Sequence, residues 1–341
     1  MRHNFVLPTD IEPMEAKPSD YIPHDGGPWQ YEPKWDGFRC LAFKEGDAVD
    51  LRAKSGKSLA RYFPEITTSL RNARPQRFVV DGELVIETGA VLSFSALQMR
   101  LHPAESRIRK LSADTPAKLI LFDILAAKDS PLAEPLTRRR AALEALVARM
   151  NRRDIVLSPY TRDIATAEKW FNDSGAGSTD GVIAKRLSEP YQPGQRVMVK
   201  VKKLRTADCV VGGFRYLNNK HEVGSLLLGL YNEKGELDHV GFTSTIPNSE
   251  RPFLTNKLEA KRAPPGFTGK APGGPSRWSN ERSGAWEPVE PKFVVEVCFD
   301  HVTSDRFRHG AKLLRWRPDK APEQCTLDQI RTLNRSHKLL P

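Results

Sequence analysis

Residues 32–39 read Glu-Pro-Lys-Trp-Asp-Gly-Phe-Arg (EPKWDGFR), and the rest of the sequence is best understood outward from them. Lys34 stands next to a large aromatic, Trp35, two residues before an acid, Asp36, and five before Arg39. Alone, Lys-x-Asp-Gly is weak: at average residue usage it arises by chance about once in a dozen chains of this length. It reads equally well as a surface β-turn with a solvated lysine. Its weight comes from the segments that follow it in order. DGEL carries Asp81, Gly82 and Glu83; LFDIL carries Phe122 and Asp123; TDGVIAKR carries Asp180, Gly181 and Lys185. VKVKK then brings Lys200, Lys202 and Lys203, and LLRWRPDK brings Arg315, Arg317, Asp319 and Lys320.

The chain of 341 residues suits two domains of ordinary size. Its 39% hydrophobic and 28% charged residues describe a globular protein. No run approaches the roughly 18 apolar residues of a spanning helix, and Pro8 and Asp10 interrupt the N-terminal apolar run, so neither a membrane protein nor a secretory signal is expected. The four cysteines (Cys40, Cys209, Cys298, Cys325) form no Cys-x-x-Cys pair, which leaves small buried thiols in a reducing compartment. A formal net charge of +11 suits a polyanionic partner, nucleic acid before anionic lipid. The excess is +7 up to Arg205 and +4 beyond it, so both halves carry it.

From about residue 31 to 205, short β-rich runs alternate with polar turns and a few helical patterns. Phe78–Glu87 reads as a strand pair with Asp81-Gly82 as its turn or bulge, and Lys118–Leu125 as a short buried strand. Pro135–Met150 is the clearest helix, with Thr137 as N-cap, Leu143, Leu146 and Val147 on one face, and Arg138-Arg139-Arg140 as a solvated first turn. After Arg205 the pattern changes to four strand-like segments, DCVVGGFRY, GSLLLGLYN, DHVGFTSTI and KFVVEVCFD. With little helix beyond Pro247–Lys261, they predict a small barrel or sandwich. The Pro-, Gly- and Ser-dense stretch from Arg262 to Pro288 reads as a long loop.

As chemistry, the ordered set contains the parts of a nucleotidyl transfer. An amine attacks phosphorus only after losing its proton, which cationic neighbours or a metal favour. Lys34 is the candidate nucleophile, with Trp35, Phe38 and Phe43 as a shield against water. Glu83 and Asp180, in separate strand-like segments, can hold a divalent cation against phosphate oxygens. Lys200 and Lys202 alternate with Val199 and Val201, so on a strand both ammoniums project from one face and can flank an α-phosphate as pyrophosphate departs. Phe122 can stack on a purine.

The set resembles the covalent nucleotidyltransferase superfamily of ATP-dependent DNA ligases, RNA ligases and mRNA-capping guanylyltransferases, over nearly the whole chain from Leu7 to Lys320. Within it, LPTDIEPMEAKP near the start, SFSALQMR after the first acidic motif and the Arg-Trp-Arg-Pro-Asp-Lys ending most resemble the compact bacterial DNA ligases of the ligase C type. The resemblance implies an α+β fold: a nucleotidyltransferase (adenylation, ATP-grasp-like) domain with antiparallel sheets over 1–205, then an all-β OB-fold over 206–341. It makes Lys34 the nucleophile that forms a lysyl–adenylate, with Lys200 and Lys202 on the α-phosphate. Arg39 would contact the nucleotide or a 5′-phosphate, Glu83 the ribose, and Phe122 the adenine. Asp180 stands where the family usually has a glutamate near the metal, one methylene shorter. Arg315, with Arg317, Asp319 and Lys320, would close over ATP. Lys54 stands where the family usually shows an arginine, losing the bidentate fork for a 5′-phosphate, with Arg52 as the compensating neighbour.

The implied function is ATP-dependent sealing of nicks in duplex DNA, with ATP and Mg²⁺ or Mn²⁺ as cofactors and a role in DNA repair, partner repair proteins being unidentified. A cytoplasmic, nucleoid-associated monomer off the membrane is expected. The family members that use NAD⁺ carry an additional N-terminal module, and with 33 residues before Lys34 the resemblance implies ATP and not NAD⁺ as the expected AMP donor, the nick being gripped by two basic domains. Two alternatives share the residues: an RNA ligase or capping-type enzyme, and a non-catalytic OB-containing nucleic-acid-binding protein.

Overall fold

The computed structural model describes residues 5–89, 91–127, 131–175, 178–273 and 285–331. The chain divides into two compact units, one within residues 1–203 and the other within 204–333. Among the described residues no helix is long and apolar enough to cross a membrane.

The first unit begins with β1 (Glu15–Pro18), β2 (Trp29–Trp35), β3 (Phe38–Glu45), β4 (Ala48–Ala53) and β5 (Arg77–Thr88). It continues through β6 (Val91–Leu92), β7 (Ala117–Ala126), β8 (Ile155–Leu157), β9 (Thr179–Arg186) and β10 (Arg196–Lys202). Its helices are α1 (Pro64–Arg71), α2 (Phe94–Arg100), α3 (Glu105–Asp114), α4 (Leu136–Met150) and α5 (Ile164–Asp173). The strands form two sheets, one ordered β1-β10-β9-β2 and the other β4-β3-β5-β7-β8, with β6 paired to β5. β2 and β3 are consecutive but lie in different sheets, so Asp36-Gly37 is the crossing point between them. A Cβ on Gly37 would collide with the Leu84 carbonyl oxygen of β5, and only glycine permits that approach. Alternation along β3 serves two cores. Phe38, Cys40 and Ala42 pack with Phe63, Ile66 and Leu121, while Leu41 and Phe43 join Met14, Val79 and Tyr191.

Three expectations for this unit are corrected. Phe78–Glu87 lies within one continuous strand; the register slips against β7 between Asp81 and Gly82 with Phe122 of β7 as the extra residue, so the Asp-Gly makes no turn and sits opposite a bulge. Thr137 does not cap α4: Pro135 is the N-cap, and the amides of Leu136 and Thr137 donate instead to the carbonyls of Glu189 and Leu187. The three arginines do not share one solvated turn. Arg138 is exposed, whereas Arg139 is buried and clamps buried Asp123 through Nε at 2.8 Å and NH2 at 3.1 Å, while Arg140 donates to the Ser158 carbonyl at 2.9 Å.

The second unit is a five-stranded antiparallel sheet of β11 (Arg205–Leu217), β12 (Lys220–Tyr231), β13 (Leu237–Thr243), β14 (Glu287–Phe299) and, after the hairpin β15 (Val302–Thr303) and β16 (Arg306–Phe307), β17 (Lys312–Trp316). The strand order is β13-β12-β11-β14-β17. A bridge between Thr243 and Ala311, next to β17, brings the two edges together and curls the sheet toward a barrel. Helix α6 (Arg251–Glu259) covers part of the core formed by Val210, Phe214, Leu228 and Val295. It is shorter than the Pro247–Lys261 read from the sequence, because residues 247–250 form turns. The fifth strand had no counterpart among the four expected segments. Of the expected loop 262–288, residues 274–284 lie outside the described residues. All four cysteines are free thiols; Cys298 is only partly buried.

Because Arg139 neutralises a carboxylate with no access to water, Arg139→Ala should lower unfolding free energy by about 3–5 kcal/mol. Arg138→Ala should stay within about 0.5 kcal/mol of the parent; urea unfolding of both variants checks the contrast.

Candidate active site

A cavity of about 200 Å³ opens in the first unit, lined from both sheets. β2 contributes Glu32, Pro33, Lys34 and Trp35; β9 and β10 contribute Ile183, Lys185, Met198 and Lys200. The second sheet contributes Arg39, Glu83 and Phe122, and Lys54 and the segment Pro13–Ala16 complete the wall.

Lys34 reaches this place through alternation. On β2, Trp29 and Tyr31 face a core with Val182 and Ala184, so Gln30, Glu32 and Lys34 face the other way. The β2–β9 ladder slips between Pro33 and Trp35, beside Lys34. Lys34 Nζ lies 2.9 Å from Asp180, whose side chain is only 4% exposed, and Lys202 Nζ reaches the same carboxylate at 3.2 Å. Gly181 follows Asp180 at φ +152°, and any Cβ there would strike the Val201 carbonyl, which holds the acid tightly against β10.

Lys200 sits opposite Ile183 and Lys202 opposite Gly181, on one face of β10. Burial lowers the Lys200 pKa, and Lys202, Lys34, Lys54 and Arg196 lower it further. That crowding of cations at a cavity is the electrostatic signature of a site for a polyanion. Lys54 lies 2.9 Å from Glu15, whose carboxyl is held below the ordinary range first by Lys54 and then by Arg196.

On β5, Asp81 and Glu83 share a face, and Arg39 of β3 pairs with Glu83 across the ladder. Arg39 grips Asp81 bidentately, Nε and NH2 each at 2.6 Å. Glu83 is different. Burial raises its pKa to about 8, with Lys34 and Arg39 only partly opposing the rise. The register slip between β5 and β7 passes over Phe122, re-aiming its ring into the cavity. Arg39 lies 4.8 Å and Lys185 Nζ 4.7 Å from the ring centroid.

The cavity thus gathers Lys34, Arg39, Lys54, Glu83, Phe122 and Lys200, with Asp180 and Lys202 attached through the ion pairs. Arg52 is not in the lining; it holds its own hairpin through Asp50 at 2.7 Å and the Gly56 carbonyl at 3.1 Å. Of the expected aromatic shield only Trp35 lines the cavity, since Phe38 packs edge-on to Phe63 and Phe94, and Phe43 against Phe5. Arg315 and Lys320 belong to the second unit, where Arg315 Nε meets Glu296 at 2.6 Å and Lys320 Nζ lies 3.7 Å from Asp208.

Sequence reasoning gave no role to Glu32, although buried Glu32 pairs with Lys185 at 2.9 Å and takes a hydrogen bond from Gln30 at 2.8 Å. The signal was available as alternation, with Gln30, Glu32 and Lys34 on one face of β2 and Ile183 and Lys185 on one face of β9. Asp81 and Tyr191 were also passed over; the latter follows a proline in an irregular segment with no pattern to mark it.

Fold and site define a nucleotide-binding enzyme with a lysine amine, that of Lys34, in the wall of its cavity. Two family models match, one described as the ATP dependent DNA ligase domain over residues 13–202, the other as the ATP dependent DNA ligase C terminal region over 219–320. The chain belongs to the ATP-dependent DNA ligase family. It is 44% identical over 332 residues to DNA ligase C1 of Mycolicibacterium smegmatis, with 94% of each chain covered. With DNA ligase C of Mycobacterium tuberculosis it shares 42% identity over 342 residues, covering 95% of this chain and 94% of that one. A solved mycobacterial DNA ligase D complexed with ATP and MES is 27% identical at a TM-score of 0.50, covering 93% of this chain and 98% of that one. A solved Lig E DNA ligase, at 16% identity and a TM-score of 0.59 over 90% of this chain and 99% of that one, shares the fold.

Between the ordinary value of 4.5 and about 8, folded Glu83 keeps a proton that the unfolded chain has released. Folding therefore takes up that proton, and this group's stabilisation is fully present below 4.5 and is lost as pH rises toward 8. Unfolding free energy should fall across that window by up to about 1.4 kcal/mol per pH unit from this group, and Glu83→Gln should flatten the slope in urea unfolding from pH 5 to 9.

Proposed function

We propose that the chain seals 5′-phosphate/3′-hydroxyl nicks in duplex DNA through three nucleotidyl transfers that begin at Lys34. The observation that carries this is the placement of the Lys34 amine in a cation-crowded cavity that also holds an aromatic ring, between acids from two sheets. In the first transfer the Lys34 Nζ lone pair attacks the α-phosphorus of ATP, the bond to the β-phosphate oxygen breaks, and pyrophosphate leaves. Lys200 and Lys202, on one face of β10, offset the charge that grows on the α-phosphate and the leaving group. Phe122 takes the adenine, and Arg39 and Glu83 contact the sugar and phosphate side. In the second transfer a DNA 5′-phosphate oxygen displaces Lys34 from phosphorus, with Lys54 as the cation for that phosphate; Arg52 keeps its hairpin in shape. In the third the 3′-hydroxyl attacks and AMP departs.

We assign Arg315 and Lys320 to the triphosphate in the first transfer, and the OB-type second unit to DNA. Glu83 and Asp180 present oxygen donors suited to a hard divalent cation. Among the described residues no group of three His, Cys, Asp or Glu side chains could hold a metal ion, so a cation there would need phosphate oxygens as well. Mg²⁺ or Mn²⁺, when bound, would offset phosphate charge at the reacting centre. We place this activity in DNA repair, in a monomer working on the nucleoid in the cytoplasm; the charge of +11 supports the DNA partner.

The deciding experiment incubates the protein with α-labelled ATP or GTP and a divalent metal before denaturing electrophoresis. After pyrophosphate stripping to remove bound AMP, ATP should label the wild type, Lys34→Ala should take no label, and nicked DNA should chase it. Lys200→Ala should slow labelling by about 10²–10³-fold. A guanylate in place of an adenylate would move the chain to the capping class, and sealing confined to RNA strands would make it an RNA ligase. Nick affinity should drop steeply between 50 and 200 mM salt, by about 10³-fold or more if six or more phosphates are contacted; affinity unchanged over that range would refute electrostatic gripping.

A further inference from the structure

Behind the cavity wall lie a buried carboxylate and a buried phenol, Asp81 and Tyr191, to which no transfer step assigns a role. Asp81 is fully buried and receives both the Arg39 clamp and the Tyr191 hydroxyl, which donates to Oδ2 at 2.6 Å. The same hydroxyl accepts the backbone N–H of Met14 at 2.9 Å. Arg39 NH2 in turn donates to the Met14 carbonyl at 3.0 Å. Both backbone polar groups of Met14 are therefore tied to one carboxylate, through a phenol on one side and a guanidinium on the other. Met14 belongs to the Pro13–Ala16 wall of the cavity, and Arg39 lies over Phe122, whereas Tyr191 is not in the lining.

We infer that Tyr191 is a positioning residue of the nucleotide cavity: its hydroxyl couples the Asp81–Arg39 clamp to the Pro13–Ala16 wall, so that guanidinium, Phe122 ring and wall are set as one unit against the nucleotide. This rests on the reading of the cavity as the ATP site. A phenylalanine would fill the same space in the core of Leu41, Phe43, Val79 and Met198 without burying a polar atom. The hydroxyl is therefore required by the network and adds nothing to packing. Its loss leaves the Met14 N–H unpaired and one lone pair of Asp81 unmet, and slackens the wall while Arg39 stays charged and paired.

The test uses the full chain with Tyr191→Phe and, as a second variant, Asp81→Asn. Self-adenylation is followed against ATP concentration, ATP affinity is measured by calorimetry in a Lys34→Ala background, and thermal unfolding is recorded for each protein. For Tyr191→Phe the half-saturating ATP concentration and the Kd should both rise about tenfold, equivalent to about 1.4 kcal/mol, with the maximal rate changed less than threefold. Combining it with Asp81→Asn should cost less than the two changes multiplied, as expected of members of one network. A lowered melting temperature with unchanged half-saturation and Kd would overturn the inference, leaving Tyr191 a purely structural residue. A fall in maximal rate at unchanged Kd would overturn it too. A wild type that binds ATP yet takes no label would remove the transfer reading, while the Kd comparison would still decide the role of Tyr191.

Discussion

The passage of Gly37 against β5 is the constraint on which the first unit depends. Because no side chain fits between that backbone and the Leu84 carbonyl, the chain can leave one sheet at Trp35 and enter the other at Phe38 with only two residues between. Lys34 and Arg39 are thus five residues apart in sequence but belong to different sheets, and both line the same cavity. The rest of the lining follows from period-two alternation on the neighbouring strands, with Ile183 and Lys185 from β9, Met198 and Lys200 from β10, and Glu83 from β5. An alanine at position 37 would strain the seam, and with it the relation between nucleophile and clamp.

Charge is distributed on a plan that burial alone does not suggest. Asp81, Asp123, Glu32 and Asp180 are each buried and each meets a cation at hydrogen-bonding distance: Arg39, Arg139, Lys185 and Lys34 respectively. Such pairs add little net stability over an apolar core of the same volume, because desolvation consumes most of the attraction. What they do is fix positions. Arg39 cannot swing away from Asp81, and Lys185 cannot leave Glu32, without exposing an uncompensated buried charge. Glu83 stands apart, because burial outweighs its cationic neighbours and raises its pKa to about 8. It therefore responds to whatever charge enters the cavity in a way the paired acids do not.

Much of this was legible in the sequence where alternation and residue chemistry agree. The lysine of EPKWDGFR, the paired lysines of VKVKK and the acids of DGEL lie at or beside the cavity because each sits on a strand whose opposite face is apolar, whereas Asp180, which alternation would place with Val182 and Ala184, meets Lys34 where the β2–β9 register slips. Errors arose where local pattern gave way to distant contacts. Arg139 looks like its neighbour Arg138 in sequence, and it is Asp123 on β7, with the carbonyls of Glu134 and Glu189, that makes it a core residue. Thr137 is a good cap by composition, yet the helix starts before it, since the amides of Leu136 and Thr137 are tied to the carbonyls of Glu189 and Leu187 and those of Arg138 and Arg139 to the Pro135 carbonyl. Phe38 and Phe43 stand near the nucleophile in sequence, but Phe38 packs on Phe63 and Phe94, and Phe43, though on the same face of β3 as Arg39, packs in the core with Phe5 and Val79. Tyr191 carried no periodic signal at all, since its partners at Met14 and Asp81 lie 177 and 110 residues away.

The second unit carries charge pairs of the same kind at a more exposed surface. On adjacent strands, Glu296 pairs in register with Arg315 and accepts its Nε at 2.6 Å. Arg317 meets Asp208 at 2.9 Å and Asp319 at 2.9 Å, and holds the Asp319 carboxyl down to about 2. Arg317 has Nε, NH1 and NH2 all committed to Asp319 and Asp208, so a phosphate that engages it competes with a carboxylate and gains only the difference between two charge-assisted contacts, whereas Arg315 commits Nε alone from a side chain that is 63% exposed. On the proposed assignment, a triphosphate would offer several acceptors at once where one carboxylate offers two oxygens, so its multiple charge would favour an exchange that a single phosphate leaves near balance. Salt weakens the partly exposed carboxylate pairs and the incoming phosphate alike, so the exchange should respond less steeply to ionic strength than the gripping of a nick across many phosphates.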